Sequence, residues 1–175
     1  IGGGSADAAA ALHGLMRLAD VRFDSETVKK IALLLGADVP VCLRGTACRM
    51  QGVGEIISDL KLLPAKAIVL VNPLQACGTA DVFRKLGLKA GDVLGSALDE
   101  NSPATWRNDM TAAAIAVQPA IAEVLAALRD HPTSRMSGSG ATCFALFETL
   151  EKAEVLGQQL ALREPNWWIA SALLS

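Results

Sequence analysis

The sequence predicts a mixed helix-and-strand protein, α/β or α+β, built in two halves. Strand-like runs alternate with helical patterns along the chain, the signature of a mixed fold. Ala67-Ile68-Val69-Leu70-Val71 is a continuous apolar run between Lys66 and Asn72-Pro73, which suits a strand buried on both faces. Hydrophobic residues make up 51% of the 175 residues against 19% charged, enough for one ordinary domain or two small ones and too apolar for disorder. Pro64 marks the seam, dividing 1–64 from 65–175.

In the first half, Ser5 to Ala19 reads as a helix. Alanine is the best helix former, and Ala8, Leu12, Leu15, Met16 and Ala19 fall on one face. Asp24 or Ser25 caps a second helix carrying Val28, Ile31, Ala32 and Leu35 at helical spacing, and Gly36 stops it. Ala37-Asp38-Val39-Pro40 is a turn into strand-like Val41-Cys42-Leu43. Gly45 breaks that run, and a second strand-like stretch runs from Thr46 to Gln51, ended by Gly52 and Gly54.

The second half opens on the 67–71 strand, followed by a helix from Thr79 to Leu86. Gly87 to Thr105 reads as largely loop. Helices return over Asn108 to Val117 and Pro119 to Arg129, with Pro119 suited to a first turn. Cys143 to Phe147 is a strand, Leu150 to Leu162 a helix, and Trp167 to Leu173 a final strand.

Composition excludes several classes. Sixteen Lys and Arg against eighteen Asp and Glu leave a net charge of −2, unlike a protein that coats nucleic acid. Aromatic residues are 4%, with no Tyr, so a stacking platform for bases is not expected. No apolar run approaches the roughly 20 residues of a membrane span. Cys42, Cys48, Cys77 and Cys143 are scattered, and with only His13 and His131 they offer no zinc spacing and no dedicated metal ligand. Reduced thiols and a cytoplasmic protein are the expectation.

Three places are suited to chemistry. Gly2-Gly3-Gly4-Ser5 opens into an Ala-rich helix, where bare glycine backbone and the positive helix end favour an anion such as phosphate. The spacing fits neither the Rossmann fingerprint nor the Walker loop, and a plain turn with Ser5 as cap fits as well. Ser137-Gly138-Ser139-Gly140, preceded by Arg135, is a run of small residues able to form a nest of N–H groups with a positive charge beside it. It is equally an ordinary loop. Asp38 lies among Leu33, Leu34, Leu35, Val39 and Val41 and reads as a partly buried carboxylate. It suits either a proton acceptor or a residue shaping its own turn.

Taken in order, Gly2-Gly3-Gly4-Ser5-Ala6-Asp7-Ala8-Ala9, Leu35-Gly36-Ala37-Asp38-Val39-Pro40 and Ser134 to Ala141 resemble the phosphate loop, catalytic-Asp segment and C-terminal glycine motif of the GHMP kinase superfamily. That resemblance implies an α+β, two-domain fold with the active site in the cleft. A partial N-terminal, ATP-binding domain would occupy 1–64, and a ferredoxin-like C-terminal domain 65–175. It implies ATP and Mg²⁺, with Gly2, Gly3, Gly4, Ser5, Ser137, Gly138, Ser139 and Gly140 at the nucleotide phosphates and Asp38 as catalytic base. The LGADVPV, GVGE and SRMSGSGATCF segments resemble the branch whose acceptor is the 2-hydroxyl of 4-diphosphocytidyl-2-C-methyl-D-erythritol, in isoprenoid precursor synthesis. The alternatives are a mevalonate- or homoserine-type kinase and a non-catalytic nucleotide-binding module. No nucleic acid or membrane partner is implied. Ile1-Gly2-Gly3-Gly4, without Met, reads as the inside of a loop, and the family carries a catalytic Lys upstream of it. The expectation is therefore an N-terminally truncated, inactive piece. Ala6 stands where many members have a second Ser that helps hold Mg²⁺.

Overall fold

A computed structural model describes residues 3–22, 26–60, 67–89, 92 and 102–174. The chain divides into two compact units, Ile1–Leu62 and Leu63–Ser175. Gly2, the cap at Asp24 or Ser25, the Pro64 seam and most of the 87–105 loop lie outside the described residues.

The first unit is three helices and a hairpin: α1 Gly3–Ala19, α2 Glu26–Leu35, α3 Val39–Arg44, β1 Cys48–Gln51 and β2 Ile56–Asp59. Ala9, Leu12 and Met16 of α1, Val28 and Ala32 of α2, and Val39 and Leu43 of α3 form one core. The apolar faces are narrower than the spacing predicts, because Leu15, Ile31 and Leu35 are exposed. The strand expected at 41–43 is a helix. Val39 and Leu43, four apart, both point into the core, and Pro40 sits in the first turn, where its missing N–H costs nothing. The second expected strand begins at Cys48 and is paired antiparallel with β2, which the sequence reading missed. The register runs from Cys48↔Asp59 to Gln51↔Ile56.

The second unit contains β3 Ala67–Asn72, α4 Thr79–Leu86, α5 Thr111–Val117, α6 Ala120–Ala127, β4 Arg135–Met136, β5 Cys143–Phe147, α7 Leu150–Arg163 and β6 Trp168–Leu173. A short 3₁₀ turn spans Pro103–Thr105. The four strands form an antiparallel sheet in the order β4-β5-β3-β6, the ferredoxin-like strand–helix–strand–strand–helix–strand plan. Because β3 is antiparallel to both neighbours, it is not buried on both faces. Ala67, Val69 and Val71 are fully buried, while Ile68, Leu70 and Asn72 are only partly covered. The buried set meets Val82 of α4, Ala114 of α5, Ile121 and Val124 of α6 and Ala153 and Leu160 of α7 in a single core. All four cysteines are free thiols. Among the described residues no helix is long and apolar enough to cross a membrane.

Candidate active site

In the first unit, two sequence-predicted elements rest on the same core. Gly3, Gly4 and Ser5 form the first turn of α1, so the helix includes the two residues before the expected Ser5, and Gly3 and Gly4 belong to it rather than to a loop ahead of it. The first four N–H groups of a helix have no intrahelical acceptor. A side chain at Gly3 or Gly4 would meet nothing within 4 Å, and no acidic residue lies in that first turn. This end therefore keeps its positive dipole and an open approach to bare backbone.

Asp38 caps α3 with φ −86° and ψ −13°, and its carboxylate makes no capping hydrogen bond. It is exposed, which corrects the expected partly buried carboxylate. The expectation failed because the neighbouring leucines point away: Leu34 is 87% exposed and Leu35 56%. The reading of Asp38 as a residue that shapes its own turn loses its support, since the turn closes on backbone alone. The Val39 N–H donates to the Gly36 carbonyl at 3.1 Å and the Cys42 N–H to the Asp38 carbonyl at 3.1 Å. Val39, only 1% exposed, anchors the turn from below.

In the second unit, Ser137 to Gly140 links β4 to β5. The Ser137 N–H donates to the Thr142 carbonyl and the Gly140 N–H to the Ser137 carbonyl, each at 2.9 Å. Gly138 and Gly140 adopt φ of +53° and +90°. The N–H groups of Gly138 and Ser139 take no part in these closing bonds. Successive amides left over in such a turn form the concave donor set that anions favour.

Residues the sequence reading missed hold this loop. The Asn108 side-chain amide donates to the carbonyls of Met136 at 2.9 Å and Gly138 at 2.7 Å, and its oxygen accepts from the Met110 N–H at 3.0 Å. Thr79 and Ser139 share a hydroxyl hydrogen bond of 2.8 Å, and the Cys77 thiol donates to the Ser139 carbonyl at 3.5 Å. Asn72 donates to the Thr142 hydroxyl at 2.8 Å. Arg135 does not lend its charge to the loop's donor set. Its guanidinium donates to the carbonyls of Ala104, Trp106 and Pro132, tying the 3₁₀ turn to the hairpin. Beside the loop opens a hollow of about 490 Å³ whose walls include Phe83, Trp106, Asn108, Ser137 and Gly138.

Among the described residues no three His, Cys, Asp or Glu side chains gather to hold a metal ion. Mg²⁺ is usually held by one or two carboxylates together with substrate phosphates. The Ser5 hydroxyl in the first turn of α1 is an oxygen donor of the kind that fits such an ion beside bound phosphates.

Residues 86–164 match the family described as GHMP kinases C terminal. The braced glycine loop, β4, β5 and α7 all lie within that match, so the second unit is similar to the C-terminal domain of the GHMP kinases. It is 48% identical to the 4-diphosphocytidyl-2-C-methyl-D-erythritol kinase of Paramagnetospirillum magneticum, across 99% of this chain and 65% of that protein. It is 42% identical to the kinase of the same name from Bradyrhizobium diazoefficiens, across 100% of this chain and 65% of the relative. A crystal structure of 4-(cytidine 5'-diphospho)-2C-methyl-D-erythritol kinase superposes with a TM-score of 0.76 at 28% identity, covering 99% of this chain and 66% of the other. The chain thus spans about 65% of the length of the curated relatives it matches.

Proposed function

We propose that this protein transfers the γ-phosphoryl group of ATP to the 2-hydroxyl of 4-diphosphocytidyl-2-C-methyl-D-erythritol, in the cytoplasm, as a step of isoprenoid precursor synthesis. The observation that carries this reading is Asp38: a solvent-facing carboxylate on a backbone-closed turn, without a capping bond of its own. The relatives named for this acceptor support the choice of substrate, and the free thiols support the compartment.

Phosphoryl transfer depends mainly on positioning and charge stabilisation. The N–H groups of Gly3, Gly4 and Ser5 at the head of α1, with Gly2 ahead of them, would receive nucleotide phosphate oxygens. The loop Ser137-Gly138-Ser139-Gly140 would contribute the spare amides of Gly138 and Ser139. Asp38 would orient the acceptor hydroxyl and take its proton as the hydroxyl oxygen bonds to the γ-phosphorus, while the bond to the β–γ bridging oxygen breaks and ADP leaves. Mg²⁺ would be held by the nucleotide phosphates with the Ser5 hydroxyl as an oxygen donor, and there it would offset the charge on the phosphates.

The test is ADP release from Mg-ATP by the protein at the full length of its relatives. The cytidylyl-methylerythritol, mevalonate and homoserine are offered in parallel. Turnover on the first alone is expected. Turnover on another acceptor replaces the substrate, and tight ATP binding without turnover on any acceptor selects a nucleotide-binding module instead.

A further inference from the structure

The GVGE segment at Gly52 to Glu55, which the reaction above leaves unused, forms the four-residue tip of the β1–β2 hairpin. This tip touches the turn that carries Asp38. Gly54 is buried, with φ +105°, and a Cβ there would collide with the carbonyl oxygen of Ala37 and come within 3.1 Å of its carbonyl carbon. Only glycine permits both that backbone and that approach. Glu55 folds back over Gly52 and accepts the Val53 N–H at 2.6 Å, which fixes the shape of the tip.

The hairpin meets α3 at both of its ends. At the base, Asp59 of β2 pairs with Arg44, the last residue of α3. At the tip, Gly54 meets Ala37, one residue before the Asp38 cap. A hollow of about 450 Å³ is lined by residues of α2, by Pro40, Leu43 and Arg44, and by Gly54, Glu55 and Ile57 of the hairpin. The nearest neighbours of the tip at Gly54 are the atoms of the Ala37 peptide. Because the Asp38 carboxylate makes no capping bond, its place is set by the backbone of residues 36–39.

We propose that Gly54 is a positioning residue for Asp38, acting through the Ala37 carbonyl, with Glu55 holding the tip in shape. This rests on the reading of Asp38 as the base. A displacement of about 1 Å at a catalytic group can cost about 100-fold. In the protein at the full length of its relatives, Gly54→Ala is expected to lower kcat by about 10- to 100-fold while KM for ATP and for the acceptor stays within about twofold. In an Asp38→Asn background the same substitution is expected to add nothing, because the group being positioned no longer takes the proton. Glu55→Ala loosens the tip without a clash and is expected to lower kcat at least about threefold, whereas Glu55→Gln keeps the acceptor oxygen and matches wild type.

An unchanged kcat in Gly54→Ala, a loss appearing in KM, or an equal loss in the Asp38→Asn background overturns the inference. If Gly54→Ala does not fold, the Glu55 pair decides, and equal rates for Glu55→Ala and Glu55→Gln overturn it. A wild-type protein without turnover overturns the base reading and this inference with it. Wild-type turnover that falls in Asp38→Asn but not in the hairpin variants overturns this inference alone.

Discussion

Asn108 and Gly138 meet through a 2.7 Å hydrogen bond, from the side-chain amide of the first to the carbonyl oxygen of the second. The same amide also holds the Met136 carbonyl, so one residue fixes both the entry and the crown of the glycine loop. Asn108→Ala takes that donor from one part-buried carbonyl, of Met136, and one exposed carbonyl, of Gly138, and is expected to cost about 1–3 kcal/mol of stability. Urea unfolding measures it. An unchanged midpoint would mean that water replaces Asn108 at no cost.

Gly138 and Gly140 lie in one loop at positive φ but in different surroundings. A Cβ at Gly138 meets nothing within 4 Å, whereas at Gly140 it comes to 2.9 Å from Ile121 Cδ1 and 3.0 Å from Met136 Sδ. Gly138→Ala is expected to carry only the backbone penalty of about 1–2 kcal/mol. Gly140→Ala adds overpacking of roughly 1–3 kcal/mol against the core. The two unfolding midpoints, compared side by side, check the ranking.

Arg135 binds carbonyls from two separate segments through a planar fork that lysine lacks. Arg135→Lys is expected to destabilise the second unit by about 1–3 kcal/mol. It should also speed amide exchange around Pro103–Thr105, read by hydrogen–deuterium exchange. Unchanged exchange there would separate the 3₁₀ turn from the hairpin.

Burial pushes the Cys143 thiol up from the usual value near 9 to about 12. The folded state keeps the proton while the unfolded chain loses it. The contribution is therefore complete below about pH 9 and is lost as pH rises toward 12. Stability should fall across that window, and Cys143→Ala should flatten the slope. In the native protein at pH 8, iodoacetamide should leave Cys143 unmodified and reach it only after unfolding.

The sequence made most of the second unit legible. Helix Thr79–Leu86 and strand Cys143–Phe147 have the boundaries that periodicity predicts, because each pairs a clear pattern with a clear stop. Val41-Cys42-Leu43 misled, since a short apolar run bounded by Pro40 and Gly45 reads as a strand. Only the i, i+4 pair Val39 and Leu43 pointed to a helix. The glycine loop was visible as composition, but its supports were not. Asn108 lies 30 positions from Gly138, and Thr79 lies 60 from Ser139, and no local pattern marks a contact made across a fold. The contact between Gly54 and Ala37 was hidden for the same reason, although the glycine itself was conspicuous.

The most direct test of the central claim is single-turnover transfer of labelled γ-phosphate to the cytidylyl-methylerythritol by wild type and Asp38→Asn, in the protein at the full length of its relatives. The substitution keeps the shape of the turn and removes the base. A rate lower by about 10²- to 10⁴-fold, with ATP still bound, is the predicted result. Transfer at the wild-type rate would contradict the assignment of Asp38.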